Sequence, residues 1–90
     1  MKPIRNQKVR YKEVDGRAIL IEPENGKVHE FNPVATLLWN HSDGHHPLEL
    51  LTEKIVHSFE VESMNAAQDL SEFFAKLDQA GLISWINTDS

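Results

Sequence analysis

Cysteine is absent from this 90-residue chain, which excludes a disulfide framework, thiolate metal ligation and a cysteine nucleophile. Glycine is scarce, with four residues in all, too few to build a glycine-rich phosphate cradle, and no serine sits in a Gly-x-Ser-x-Gly elbow. Long apolar runs are missing. No stretch approaches the ~20 residues that span a bilayer, and the basic segment Met1–Lys8 has no apolar run behind it of the kind that marks a secretory signal. The expectation is a cytoplasmic protein without a membrane partner. Positive charge is in deficit: nine Lys and Arg against fourteen Asp and Glu leave a net charge of −5. Affinity for nucleic acid comes mainly from cations that neutralise phosphates, so a polyanionic partner is not expected.

What remains is the composition of an ordinary folded domain, with 40% hydrophobic and 26% charged residues. A chain this short buries only roughly 60–65% of its unfolded surface, which leaves little room for a deep catalytic cleft. The charge is unevenly placed. Lys2, Arg5, Lys8, Arg10, Lys12 and Arg17 crowd the beginning, and acidic residues dominate the rest. One domain is expected over residues 9–86, with a flexible N-terminal tail over 1–8 and a C-terminal tail over 87–90.

Val9 to Val14 alternates as a half-buried strand does, Val9 and Tyr11 being set apart by Arg10 and Lys12. Asp15-Gly16 then supplies the positive φ angles of a tight hairpin turn. Ala18-Ile19-Leu20-Ile21 is continuously apolar and reads as the central strand of a sheet. After the turn signal Pro23-Glu24-Asn25-Gly26, Lys27 to Phe31 forms a third strand. In such a meander the third strand lies at an edge, with unpaired N–H and C=O groups facing outward.

The remainder is helical. Asn32-Pro33 is a cap followed by proline at the first helical position, where the missing N–H costs nothing. Val34, Leu37, Leu38 and Trp39 define a short helix ended by Ser42-Asp43-Gly44. A second helix starts at Pro47 and keeps Leu48, Leu51, Ile55 and Phe59 on one face. A third starts near Ser63 to Asn65 and carries Ala66, Leu70, Phe73, Phe74 and Leu77 at helical spacing until Gly81 closes it. Leu82 to Ile86 is read as an extended segment packed on the helices.

His41, His45 and His46 gather around Asp43, and imidazoles with a carboxylate are legitimate metal ligands. A helix ends inside the cluster, however, so their spacing does not aim them at one point, and a polar loop is the simpler reading. Asp15, Glu22, Glu24 and Glu30 show no pairing. Neither catalytic residues, a cofactor nor a metal is expected.

Three helices with strands also suit a winged-helix regulator of DNA. The third helix offers Gln68, Asp69, Glu72, Lys76 and Asp78, a mostly acidic face that phosphate would repel. DNA binding would instead need Lys8, Arg10, Lys12 and Arg17 to form the contact surface. The alternative is the edge strand beside the amphipathic third helix, where an extended peptide can add to the sheet through main-chain hydrogen bonds. Phe73 and Phe74 point about 100° apart on that helix, so one of the two is free to line a groove, although a broad apolar face would bury both.

The order and spacing of Val14-Asp15-Gly16, Ala18-Ile19-Leu20-Ile21, Glu24-Asn25-Gly26-Lys27-Val28-His29-Glu30-Phe31-Asn32, Ala35 with Leu38-Trp39, Asp43-Gly44, and Leu77 with Gly81-Leu82-Ile83 resemble the PqqD family, also called RiPP recognition elements. The resemblance runs from about Val9 to Ile83. It implies an α+β, winged-helix-like fold in which an N-terminal three-stranded antiparallel sheet precedes three helices. It also implies non-catalytic binding of the leader region of a ribosomally made precursor peptide, presented to a maturation enzyme of the radical S-adenosylmethionine type. The segment Asn25 to Asn32 is closer to the broad PqqD-like group than to members devoted to pyrroloquinoline quinone (PQQ). By the same resemblance the leader would lie between the third strand, at Lys27, Val28, His29, Glu30 and Phe31, and the third helix, at Asp69, Leu70, Phe73, Lys76 and Leu77. The acidity of that helix points to a leader with basic residues. An exposed edge is equally open to a second copy of the chain, so a homodimer through the sheet edge stays open.

Overall fold

The computed structural model describes residues 1–59 and 63–87. Its elements are β1 (Lys2–Arg5), β2 (Arg10–Val14), β3 (Arg17–Ile21), β4 (Val28–Glu30), α1 (Pro33–Asn40), α2 (Leu48–Phe59), α3 (Ser63–Gln79) and β5 (Ile83–Ile86). The order of strands in the larger sheet is β2-β3-β4, all antiparallel. The α+β, winged-helix-like fold is therefore the observed one.

Local chemistry explains most boundaries. Asp15 and Gly16 both take positive φ, 52° and 76°, so the β2–β3 hairpin has the twist its strands require. Asn32 caps α1 by accepting the Ala35 N–H at 2.8 Å, and Pro33 follows in the first turn. Ala18 and Leu20 of β3 are fully buried and pack with Trp39, Leu51, Phe74 and Leu82, also fully buried. Thr36 is buried too, and its hydroxyl accepts the Ala18 N–H at 2.8 Å, tying α1 to the central strand.

The N-terminal segment is not a tail. Lys2 to Arg5 pairs with Ile86 to Ile83 in a second, two-stranded sheet, and Pro3 is fully buried. The Arg5 guanidinium donates to the Trp39 and Asn40 carbonyls, each at 2.8 Å, and so caps the C-terminal end of α1. The extended segment expected after Gly81 is the partner strand, β5. A four-residue strand containing proline carries no periodicity, and its partner lies at the far end of the chain, which is why the pairing is not visible locally.

β2 also differs from expectation. All its residues are exposed, because β2 is the outer strand and only Val9, just before it, is buried. Tyr11 still packs its ring on Trp39, with centroids 5.3 Å apart. Of the expected C-terminal tail, Asn87 is exposed and residues 88–90 lie outside the described residues.

Candidate peptide interface

β4 is one of the two edges of the three-stranded sheet, β2 being the other, and it is the edge that lies beside α3. Its hydrogen-bonding phase follows from two contacts: the Phe31 N–H donates to the Ala18 carbonyl and the Glu22 N–H to the Lys27 carbonyl, each at 2.8 Å. With Ile21 opposite Val28, an antiparallel ladder turns the backbone groups of Lys27, His29 and Phe31 toward β3 and those of Val28 and Glu30 outward. The outward pair is what an added strand requires.

Side chains alternate in the opposite sense. His29 stands opposite Leu20, a fully buried residue, so Lys27, His29 and Phe31 face the helical layer, and Val28 and Glu30 lie on the outer face of the sheet. There Glu30 pairs with Arg17 at 3.2 Å, both exposed, a contact of little energetic weight.

Between the inward face of β4 and the C-terminal half of α3 runs a groove of about 570 Å³. Lys27, His29 and Phe31 form one wall, and Phe73, Lys76, Leu77 and Ala80 the other. A second hollow of about 510 Å³ opens between α1, α2 and the N-terminal half of α3, walled by Val34, Ala35, Leu38, Ile55, Ala66 and Leu70. Phe73 lines both spaces and Asp69 borders the second. Phe73 is half-buried, whereas Phe74 is fully buried in the core. The two adjacent rings are thus divided between groove and core.

One buried carboxylate lies in the groove. Glu22 receives a hydrogen bond from His29 Nε2 at 2.7 Å, which holds its carboxyl below the usual range against the opposing effect of burial. Asn25 Nδ2 approaches its other oxygen at 3.5 Å. Elsewhere, burial raises the Asp43 carboxyl, but hydrogen bonds from the His46 ring and the His45 N–H outweigh it and leave the group lowered. In the same loop His41 Nδ1 binds the Leu37 carbonyl at 2.9 Å. No group of three or more His, Cys, Asp or Glu side chains that would hold a metal occurs among the described residues.

The structure therefore brings together Lys27, His29, Phe31, Phe73, Lys76 and Leu77 around the groove. It sets Asp69 and Leu70 in the adjoining hollow, and leaves the backbone groups of Val28 and Glu30 facing outward at the edge. Glu22, Asn25, Gln79 and Leu82 also line the groove and were not singled out from sequence, because turn residues and a helix end carry no periodic signal. Of the acidic residues of α3, Glu72 and Asp78 line neither space, so the charge lining the two spaces is not that of the whole helix.

The family model described as Coenzyme PQQ synthesis protein D (PqqD) matches residues 17–83. The chain belongs to the PqqD family. That match contains β3, β4 and all three helices of this PqqD-family chain, and hence both walls of the groove. Two solved structures share its fold. One is TbiB1 in complex with the TbiA(beta) leader peptide, with a TM-score of 0.82 and 18% identity, covering 97% of this chain and 99% of that one. The other is lasso peptide synthetase B1 complexed with the leader peptide, with a TM-score of 0.77 and 19% identity, covering 93% and 99%. No curated protein matches the chain.

Proposed function

We propose that this chain is a non-catalytic recognition domain that binds the leader region of a ribosomally made precursor peptide as a strand added to β4, and presents it to a modifying enzyme. The observation that carries this reading is the geometry of β4. The outward backbone groups of Val28 and Glu30 lie at an open edge, and the adjacent groove is walled by Phe31, Phe73 and Leu77. Main-chain pairing supplies affinity irrespective of sequence, and side-chain pockets supply selectivity.

Membership of a family named for coenzyme PQQ synthesis supports a place in the maturation of a peptide. The two proteins of like fold are both seen with leader peptides. A maturation enzyme of the radical S-adenosylmethionine type, acting in the cytoplasm, completes the proposal. No helix among the described residues is long and apolar enough to cross a membrane. Strand addition by a second copy would use the same edge, and peptide capture and homodimer formation are therefore expected to compete.

Fluorescence anisotropy of labelled leader peptides tests the reading. Saturable binding that is weakened in a folded Val28→Pro variant is the expected result. Binding that ignores the proline would remove strand addition from the account.

A further inference from the structure

The two spaces along α3 differ in chemistry. At the end near the start of β4, Lys27 and Lys76 line the groove and both are exposed. Glu22 lines it as well, but it is buried and its carboxylate is engaged by His29 and Asn25. The hollow at the other end is walled by Leu38, Ile55, Ala66 and Leu70, with exposed Asp69 at its border. One end is therefore cationic and the other apolar, and Phe73 stands between them.

We propose that the groove selects peptides by two side chains: a bulky apolar one seated among Leu38, Ile55 and Leu70, and an acidic one four residues away, held between Lys27 and Lys76. This deepens the strand-addition reading and rests on it.

The spacing follows from element geometry. The hollow meets α3 from Asn65 to Phe73 and the groove from Phe73 to Ala80, so their midpoints lie near Asp69 and Lys76. That is about 11 Å along a helix rising 1.5 Å per residue. An extended chain covers about 3.3 Å per residue, so the span takes three to four residues. Both side chains must leave the peptide on the same face, which requires an even number, and four is the even number that fits. The acidic preference is opposite to what the overall charge of α3 suggests, because Glu72 and Asp78 do not line the groove.

The full 90-residue chain is used to select from a displayed library of randomised twelve-residue peptides, in parallel with a Lys27→Glu/Lys76→Glu variant. Both lysines are exposed, so the variant keeps its fold, and circular dichroism confirms this. Amide-shift mapping shows where the selected peptides bind. The wild type is expected to enrich peptides with a large apolar residue and an Asp or Glu four positions from it. Changing that acid to Lys weakens binding about tenfold at low salt, and the variant reverses the preference. Peptides that shift the β4 amides but show no acidic preference, or the same preference in the variant, would overturn this inference and leave strand addition standing. A library that yields no peptide moving the β4 amides would overturn strand addition itself, and this inference with it.

Discussion

Phe31 and Phe73 meet edge to face, with ring centroids 5.4 Å apart and planes at 68°. This contact ties the edge strand β4 to α3 at one end of the groove. It continues on both sides, from Phe31 to Trp39 at 6.1 Å and from Phe73 to Phe74 at 5.3 Å. The groove wall is therefore continuous with the core.

The two neighbouring phenylalanines of α3 should separate binding from stability. Phe74 is fully buried, and Phe74→Ala should cost about 3–5 kcal/mol in urea unfolding. Phe73 is half-buried and lines the groove. Phe73→Ala should cost only about 1–2 kcal/mol of stability and weaken leader peptides at least about tenfold. Equal losses of stability would contradict the division of the two rings.

Arg5 provides a test of the N-terminal strand. Its guanidinium serves two carbonyls at the end of α1, groups that a helix leaves without internal partners. Arg5→Ala should lower stability by about 1–2 kcal/mol. A flexible N-terminus would make the same substitution neutral.

Acid should destabilise the protein through two carboxyl groups. Glu22 and Asp43 are both lowered from ordinary values of 4.5 and 3.8. Their folded pKa values lie below the unfolded ones, so their stabilisation is complete at neutral pH. It is lost as pH falls below those ordinary values and through the lowered ones. Denaturation curves at pH 7, 5 and 3 should show the decline below pH 5. A Glu22→Gln/Asp43→Asn variant should show a smaller one, and an unchanged slope would remove both groups from the explanation.

Gly44 is held at φ +82°, and a Cβ there would come within 2.7 Å of Ile86 Cδ1 and 3.4 Å of Ile4 Cδ1. Gly26 has a similar φ of +70° with open space around it. Both alanine variants meet backbone strain of about 1 kcal/mol, and only Gly44→Ala also disturbs the β1–β5 sheet. The difference in melting temperature between the two variants measures that packing.

Much of this was legible in the sequence, for physical reasons that can be named. Asp15-Gly16, Asn32-Pro33 and Gly81 mark turns and caps whose backbone demands few residues meet, and the apolar spacing of α3 fixed its buried face. The groove strand was legible because a meander leaves its third strand at an edge. The β1–β5 sheet was hidden, since pairing between the two ends of a chain leaves no local pattern. So was the contribution of Glu22 and Asn25, which enter the groove only because the β3–β4 turn folds back beside the end of α3. Charge summed over a helix is a coarse guide for a related reason: Glu72 and Asp78 of α3 line neither the groove nor the hollow.

The central claim is that β4 captures a peptide through the outward backbone groups of Val28 and Glu30. An amide-shift titration of the labelled protein with leader peptides, with Val28→Pro alongside, tests it most directly. Val28 is 60% exposed and its N–H points away from β3, so proline there removes a donor to the incoming strand and leaves the inner ladder intact. The account predicts saturable shifts at Lys27–Phe31, along Asp69–Leu77 and at the α1 and α2 residues that wall the adjoining hollow, weakened in the still-folded variant. Shifts elsewhere on the surface, or shifts at β4 that persist undiminished with the proline, would contradict it.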